Sequence, residues 1–335
     1  MTAWGPRVLI SSAGRRAGLV EAFRSAGPAL GVSATIYAVD MNAMLSAGCA
    51  AADYASDVPP CTDPGYVDAL LEYCAAEDIM LLVPTIDTEL AILAEAAPRF
   101  REIGCRVHVA SRQLIDIARD KMRTCALLAE NGVPVPRCYT PETARTLNDT
   151  SIWPLFAKPI AGSASRGLMK IDGAKDIPDR FDEPTILQEY LEGPEYTVNV
   201  FVDKHGSLRT TVPHLRLSVR AGEVEKGRTV RDPRFARIAR RLVDALPGPQ
   251  GVMCFQMIDD VTRGPQVFEI NARFGGGFPL ADHAGAHFAR WLLAECLGRD
   301  SGAHDNWVDG VEMLRYDAAY FNMPRDDASV VRAAE

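Results

Sequence analysis

No Cys-x-x-Cys pair occurs in the chain, although it contains eight cysteines, at 49, 61, 74, 105, 125, 138, 254 and 296. Scattered thiols in a chain of 335 residues point to reduced, mostly buried cysteines in a cytoplasmic protein rather than to a disulfide framework. Positive charge is also short. The formal net charge is −8, which gives the chain as a whole no electrostatic footprint for nucleic acid, while a local basic site for a phosphorylated small molecule stays compatible. The opening stretch MTAWGPRVLISSAGRR has no apolar run long enough for a signal peptide, and no later run reaches a membrane span. Neither a membrane nor nucleic acid is therefore an expected partner. Repeats, low-complexity tracts, the Walker loop G-x-x-x-x-G-K-[ST] and the zinc motif H-E-x-x-H are absent as well.

What is present is a globular composition, 47% hydrophobic and 24% charged, in a length that calls for two or three domains. Over residues 1–110, apolar runs alternate with helical patterns: RVLISS, GLVEAFRSAG, ATIYAVD, YVDALLEYCAAED, IMLLVPT, TELAILAEAAPRF and CRVHVAS. Such alternation implies parallel strands with covering helices, a doubly wound α/β domain. From Ser111 the pattern becomes α+β. RDKMRTCALLAENGVPVP reads as a helix that starts near Asp120 and is stopped by Gly132 and two prolines. Strand-like pieces follow, from WPLFAKPI through QVFEINA. They are interrupted by DPRFARIARRLVDAL, a helix with Asp232 as N-cap, Pro233 at its first position and apolar residues at 235, 238, 239, 242 and 243. GVEMLRYDAAYF reads as a last strand.

The most informative stretch is VFEINARFGGG, residues 267–277. On a strand, Glu269, Asn271 and Arg273 share one face while Phe268, Ile270 and Ala272 take the other. Glu and Asn supply hard oxygen ligands of the kind Mg2+ accepts beside waters and substrate phosphates, and Gln256 in CFQMIDD sits on a neighbouring strand. In FAKPIAGSASRG, Lys158 ends a strand and precedes a small-residue loop containing Gly162, Ser163 and Gly167. Such a loop lets backbone amides approach phosphate oxygens, although a plain Gly/Ser hairpin has the same composition. ILQEYLEGPEY carries Glu189, Tyr190, Leu191 and Glu195 around a turn. Those two carboxylates suit a ribose and an adenine edge, or simply a solvated turn. Lys121 opens the helix after Asp120.

Taken in order, this set resembles the ATP-grasp ligases, in their carbamoyl-phosphate-synthetase-like branch. The resemblance covers almost the whole chain. It implies a Rossmann-like preATP-grasp domain over 1–110, followed by an ATP-grasp small subdomain with a phosphate-covering loop over 111–190 and a large subdomain over 191–335. Lys121 and Lys158 would hold the α- and β-phosphates of ATP, and Gly162, Ser163 and Gly167 would belong to a loop closing over the β- and γ-phosphates. Glu189 with the backbone of Tyr190 and Leu191 would meet adenine, and Glu195 the ribose. Gln256, Glu269 and Asn271 would ligate Mg2+ or, in its place, Mn2+. Arg273 would face the transferring phosphoryl group, and Lys226, in VEKGRTV, would lie in a loop that approaches the nucleotide in this branch, a further candidate. Gln256 departs from the Asp or Glu found in many members. The activity implied is ATP-dependent joining of a small-molecule carboxylate to an amine through an acyl phosphate; homodimers are common in the family.

Some residues carry two readings each. SSAGRRAG after the first strand is not G-x-G-x-x-G, since only Gly14 and Gly18 are present, so an NAD-dependent oxidoreductase rests on a weak motif. Arg15 and Arg16 bind a substrate carboxylate or are solvated residues at a helix start. Asp87 and Glu89, at the C-terminal edge of a parallel strand, face a substrate or the solvent. Gly276 and His283 lie where the acyl group would sit, and Arg315 reaches an acceptor or pairs on its sheet. His283 and His287 lack the Glu that a zinc helix would carry at 284.

Overall fold

The computed structural model describes residues 5–162 and 167–321. Three sheets organise these residues. In the first, β1 (Arg7–Ser11), β2 (Thr35–Asp40), β3 (Tyr54–Asp57), β4 (Leu81–Pro84) and β5 (Arg106–Val107) run parallel in the order β3-β2-β1-β4-β5. Helices α1 (Ala17–Ala29), α2 (Ala47–Ala51), α3 (Tyr66–Ala76) and α4 (Asp87–Glu102) connect them. Val8, Leu9 and Ile10 have no exposure at all, which is why the strand reads as a continuous apolar run rather than an alternating one. The stretch CRVHVAS yields only a two-residue strand, because the next residue, His108, becomes a strut. Its buried Nε2 accepts from the Val252 amide at 2.9 Å.

Helices α5 (Arg112–Ala118) and α6 (Lys121–Glu130) lead into the second sheet. The Asp120 side chain caps α6 by accepting from the Arg123 amide at 3.0 Å. The second sheet is antiparallel, with β6 (Cys138–Tyr139), β7 (Leu155–Pro159), β8 (Met169–Ile171) and β9 (Thr185–Glu189) in the order β6-β9-β7-β8. Between β6 and β7, α7 (Pro141–Thr146) packs Ala144 into a small core with Leu155, Ala157 and Leu187.

The third sheet comprises β10 (Glu195–Val202), β11 (Leu208–Arg220), β12 (Glu223–Thr229), β13 (Gly251–Asp260), β14 (Gly264–Asn271) and β15 (Glu312–Leu314), in the order β14-β13-β10-β11-β12-β15. The expected loop at VEKGRTV is thus a strand. It returns from β11 through Ala221 and Gly222, at φ +50° and +78°, and two left-handed central residues are the mark of a tight hairpin. One face of this sheet is covered by α8 (Pro233–Ala245), whose Phe235, Ile238, Ala239, Leu242 and Val243 pack with Val198, Val200, Met253 and Phe255. The other face carries polar side chains and lines a cavity.

After β14 the chain turns through three glycines into α9 (Phe278–His283) and α10 (Phe288–Cys296), and α10 packs on α1. Phe274 roots this turn. It is 1% exposed and meets Phe23 of α1 at 6.0 Å, Phe278 of α9 at 4.8 Å and the His108 ring at 5.3 Å between centroids. Phe274→Ala removes a ring shared by two sheets and should cost about 3–5 kcal/mol of stability, read as a lowered urea midpoint with unchanged m-value.

Candidate active site

A cavity of about 590 Å3 opens between the second and third sheets and reaches the start of α1. Its wall on β14 is where the sequence pattern is first broken. Gln256 pairs with Glu269, but Met257 pairs with Val267, so Phe268 is an extra, bulged residue. The expected alternation put Phe268 on the far face. Instead the bulge turns it to the cavity beside Glu269, and the Lys158 ammonium lies 4.7 Å from its ring centroid.

Two lysines face this wall from α6 and β7. Lys158 ends β7, is 7% exposed, and burial lowers its pKa to about 8, with Glu269 opposing and Lys121 adding to the shift. Lys121 begins α6 and donates to the Gly162 carbonyl at 2.8 Å. Among the described residues neither lysine pairs with a carboxylate within 4 Å, so both charges remain available to a ligand. Glu269 is held above its ordinary pKa by burial, against the pull of Lys121 and Lys158. Gly162 and Gly167 border the small-residue loop; Ser163 lies outside the described residues.

The hinge end is built from charge. Glu189 lines the cavity but its carboxylate is engaged, accepting from the Arg137 backbone and side chain and from Arg263. Asp260 in turn accepts from the amides of Glu192, Thr262 and Arg263, which fixes the loop carrying Tyr190 and Leu191. Glu195 faces Arg216 of β11 at 3.1 Å.

At the opposite end stands the glycine turn. A Cβ on Gly275, Gly276 or Gly277 would come within 2.8 Å of Cys254 Sγ, 2.8 Å of the Glu223 carboxyl carbon or 2.4 Å of His214 Nε2. Glycine is required here for close approach. Burial drives His214 to a pKa of about 3, helped by Arg216 and Arg315, so the imidazole under the turn is neutral. Glu223 lies between Arg16 and Arg315, each 3.2 Å away, and Arg315 also donates to the Gly276 carbonyl. Burial pulls the Glu223 pKa upward, but Arg16 and Arg315 outweigh it and hold the group ionised.

Arg273 meets Asp87 across the domain boundary. Its Nε and Nη2 reach the two carboxylate oxygens at 3.0 and 2.6 Å, and Nη2 also donates to Asn271 Oδ1 at 3.1 Å. Asp87 is thus a partner of Arg273 rather than a free substrate group. Four other expectations are corrected. Glu89 is fully buried: its carboxylate accepts from Ser11, Ser12, Tyr66 and the amides of Thr85 and Ile86, and so staples the first sheet's loops instead of facing a substrate. Arg15 and His283 are exposed and line no wall of the cavity. Lys226 is exposed on β12, opposite Leu314 of β15, and is not among the residues that line the cavity. The residues that sequence reasoning missed are Arg216, Glu223 and Phe268. The first needed the pairing of β11, the second needed β12 to be a strand, and no sequence signal marks the bulge.

The dinucleotide reading fails on local packing. The Gly14 amide donates to Asp40 at 2.7 Å, and Gly48 of α2 closes on the Gly14 carbonyl at 2.8 Å, so the turn after β1 is filled by the protein itself. Among the described residues no group of three or more His, Cys, Asp and Glu is placed to hold a metal, and no helix is long and apolar enough to cross a membrane.

Residues 8–108 match the family model of the PylC-like N-terminal domain, and residues 118–277 that of the ATP-grasp domain. The two matches place an ATP-grasp domain behind a PylC-like N-terminal domain in this chain. A stretch of 106 residues is 29% identical to a D-alanine–D-alanine ligase of Alcanivorax borkumensis, over 30% of this chain and 34% of that one. The match therefore spans about a third of the curated relative. Among solved structures, the fold is similar to biotin carboxylase from Campylobacter jejuni, with a TM-score of 0.71 at 16% identity over 87% of this chain and 71% of that one. It is also similar to an L-amino acid ligase from Bacillus licheniformis, with a TM-score of 0.67 at 17% identity over 89% and 75%.

Removal of one member of a partly buried ion pair strands the other charge. Asp87→Ala should lower unfolding stability by about 1–3 kcal/mol, and adding Arg273→Met should restore more than half of that loss in urea titrations of the single and double variants.

Proposed function

We propose that this chain is an ATP-dependent ligase that activates a carboxylate as an acyl phosphate and passes the acyl group to an amine, releasing ADP and phosphate. The observation that carries the reading is the convergence of Lys121, Lys158, Glu269, Asn271 and Arg273 on one cavity, each from a different part of the fold or an adjacent strand position. Phosphoryl transfer asks mainly for positioning and for neutralisation of charge on the phosphate oxygens. Two lysines without carboxylate partners and a preoriented arginine meet that demand.

The donor set also fits Mg2+, which takes one or two carboxylates and completes its shell with phosphates and water. Glu269 and Asn271 are adjacent on the cavity face of β14, with Glu269 in a setting that favours a nearby cation. When bound, the ion would neutralise the transferring phosphate. The chain's own residues do the rest. Lys121 and Lys158 hold phosphate oxygens, the hinge segment 189–191 receives the base, and Arg273, held by Asp87, presents its guanidinium to the reacting end. The carboxylate substrate would enter at the glycine turn, where Arg16 and Arg315 flank Glu223 and leave net positive charge.

Release of ADP that requires an added carboxylate, and that ends in an amide only when an amine is present, is the direct test across a panel of amino acids and other acids. Glu269→Ala should lower kcat by roughly a hundred- to a thousandfold while the fold persists. Full turnover in a folded Glu269→Ala protein would remove Glu269 from the metal site.

Lys158 gives a second test. Its pKa of about 8 in the free chain rises when phosphate oxygens surround it, so nucleotide binding takes up a proton. ATP affinity should therefore be constant below pH 8 and fall above it, by at most about tenfold per pH unit, with the slope absent in Lys158→Met. Calorimetry in buffers of different ionisation enthalpy reads the proton directly.

A further inference from the structure

Arg216 has no place among the groups so far assigned, yet it sits in the middle of the cavity wall. Its side chain is 6% exposed. Nη1 lies 3.1 Å from Glu195 Oε1, and Nη2 donates to the Gly222 carbonyl at 3.0 Å. Nε is buried and has no partner. Beside it, the Gln256 amide takes the one orientation that satisfies both neighbours: its oxygen accepts from Arg216 Nη1 at 2.8 Å, and its nitrogen donates to Glu269 Oε2 at 3.1 Å. The row Arg216–Gln256–Glu269 is therefore closed from end to end. Both ends of the Gln256 amide are committed, whereas Asn271 carries a guanidinium contact on its oxygen alone, from Arg273 at 3.1 Å.

Charge decides what this row does. A carboxylate at position 256 together with a divalent cation would contribute one net positive charge to the cavity. An uncharged Gln256 leaves the Arg216 guanidinium, which never loses its proton in a protein, as the fixed positive group on this row, shared with Glu195 at 3.1 Å. A second divalent cation at Gln256 would have to displace the Arg216 hydrogen bond and then sit against a fixed positive charge.

We propose that Arg216 takes the place of a second metal ion: the site holds one divalent cation per nucleotide, on Glu269 and Asn271, and Arg216 offers its unpartnered Nε–H to the nucleotide. Gln256 is then a positioning residue that orients Arg216 and Glu269 and does not ligate the metal. The inference rests on the ligase reading and specifies how its metal site is built.

The test is a count of ions in the full-length chain saturated with a non-hydrolysable β,γ-methylene analogue of ATP. Mn2+ is titrated in, free ion is read by its electron paramagnetic resonance signal, and bound analogue is measured by calorimetry on the same sample. One Mn2+ per bound analogue is expected for the unmodified chain and for Arg216→Lys, and two for the double variant Arg216→Met with Gln256→Glu. Two ions in the unmodified chain would overturn the inference while leaving the ligase reading intact. A folded double variant that still binds one would overturn the exchange of guanidinium for metal. No binding of the analogue would overturn the ligase reading, and the inference with it. The count in the unmodified chain decides the matter even if the double variant fails to fold.

Discussion

The cavity depends on one partly buried contact, the bidentate pair between Arg273 and Asp87. Asp87 begins α4 in the first domain, where the helix N-terminus already favours a negative charge. Arg273 follows β14 in the third sheet. Taking two such charges from water is costly, and the cost is offset only when geometry is good and the remaining donors are satisfied. Here Asn271 Oδ1 and the Phe274 carbonyl accept from the guanidinium as well. The pair therefore selects a single placement of the first domain against the third sheet, and with it the placement of Arg16 opposite Glu223.

Elsewhere in the cavity, paired and unpaired charges are separated by location. Glu189 is enclosed by Arg137 and Arg263, Glu195 faces Arg216, and Glu223 lies between Arg16 and Arg315. Each of these carboxylates has lost its freedom to a guanidinium, whose planar fork suits such pairing. The lysines are treated differently. Lys121 bonds a carbonyl and Lys158 lies over an aromatic ring, both neutral partners. A cation bound only to neutral groups in a partly dehydrated cavity is stabilised by an incoming anion, and that is the arrangement a polyphosphate needs.

Much of this was legible from residue order, for physical reasons. The first domain's strands are buried on both faces and so read as plain apolar runs, and α8 announces itself through Asp232, Pro233 and its apolar stripe. Glu269, Asn271 and Arg273 were legible because a strand has a period of two. The same rule misplaced Phe268, since a bulge shifts the period by one without any mark in composition. At VEKGRTV the family resemblance suggested a loop; β12 lies near the edge of its sheet and has a single large apolar residue, Val224, so little in its composition announces a strand. Asp87 and Glu89 look alike in sequence, two residues apart on one turn. Only the positions of Arg273 and of Tyr66, 186 and 23 residues away, make one a partner of the site and the other a staple.

The glycines after Arg273 illustrate how a sequence signal can be right for a different reason. Three consecutive glycines suggest a mobile turn, yet none of the three adopts a left-handed φ, so conformation does not demand them. Contact does. The turn is pressed against Cys254, Glu223 and His214, and a methyl group at any of the three positions would collide with one of them. Its root, Phe274, is packed among Phe23, Phe278 and His108. The backbone here is a fitted wall, with its carbonyl at Gly276 held by Arg315. Because that wall is rigid, selectivity at this end of the cavity must come from the side chains that border it. Among those bordering groups Arg16, Glu223 and Arg315 carry charge, and they come from three separate segments that only this fold brings together.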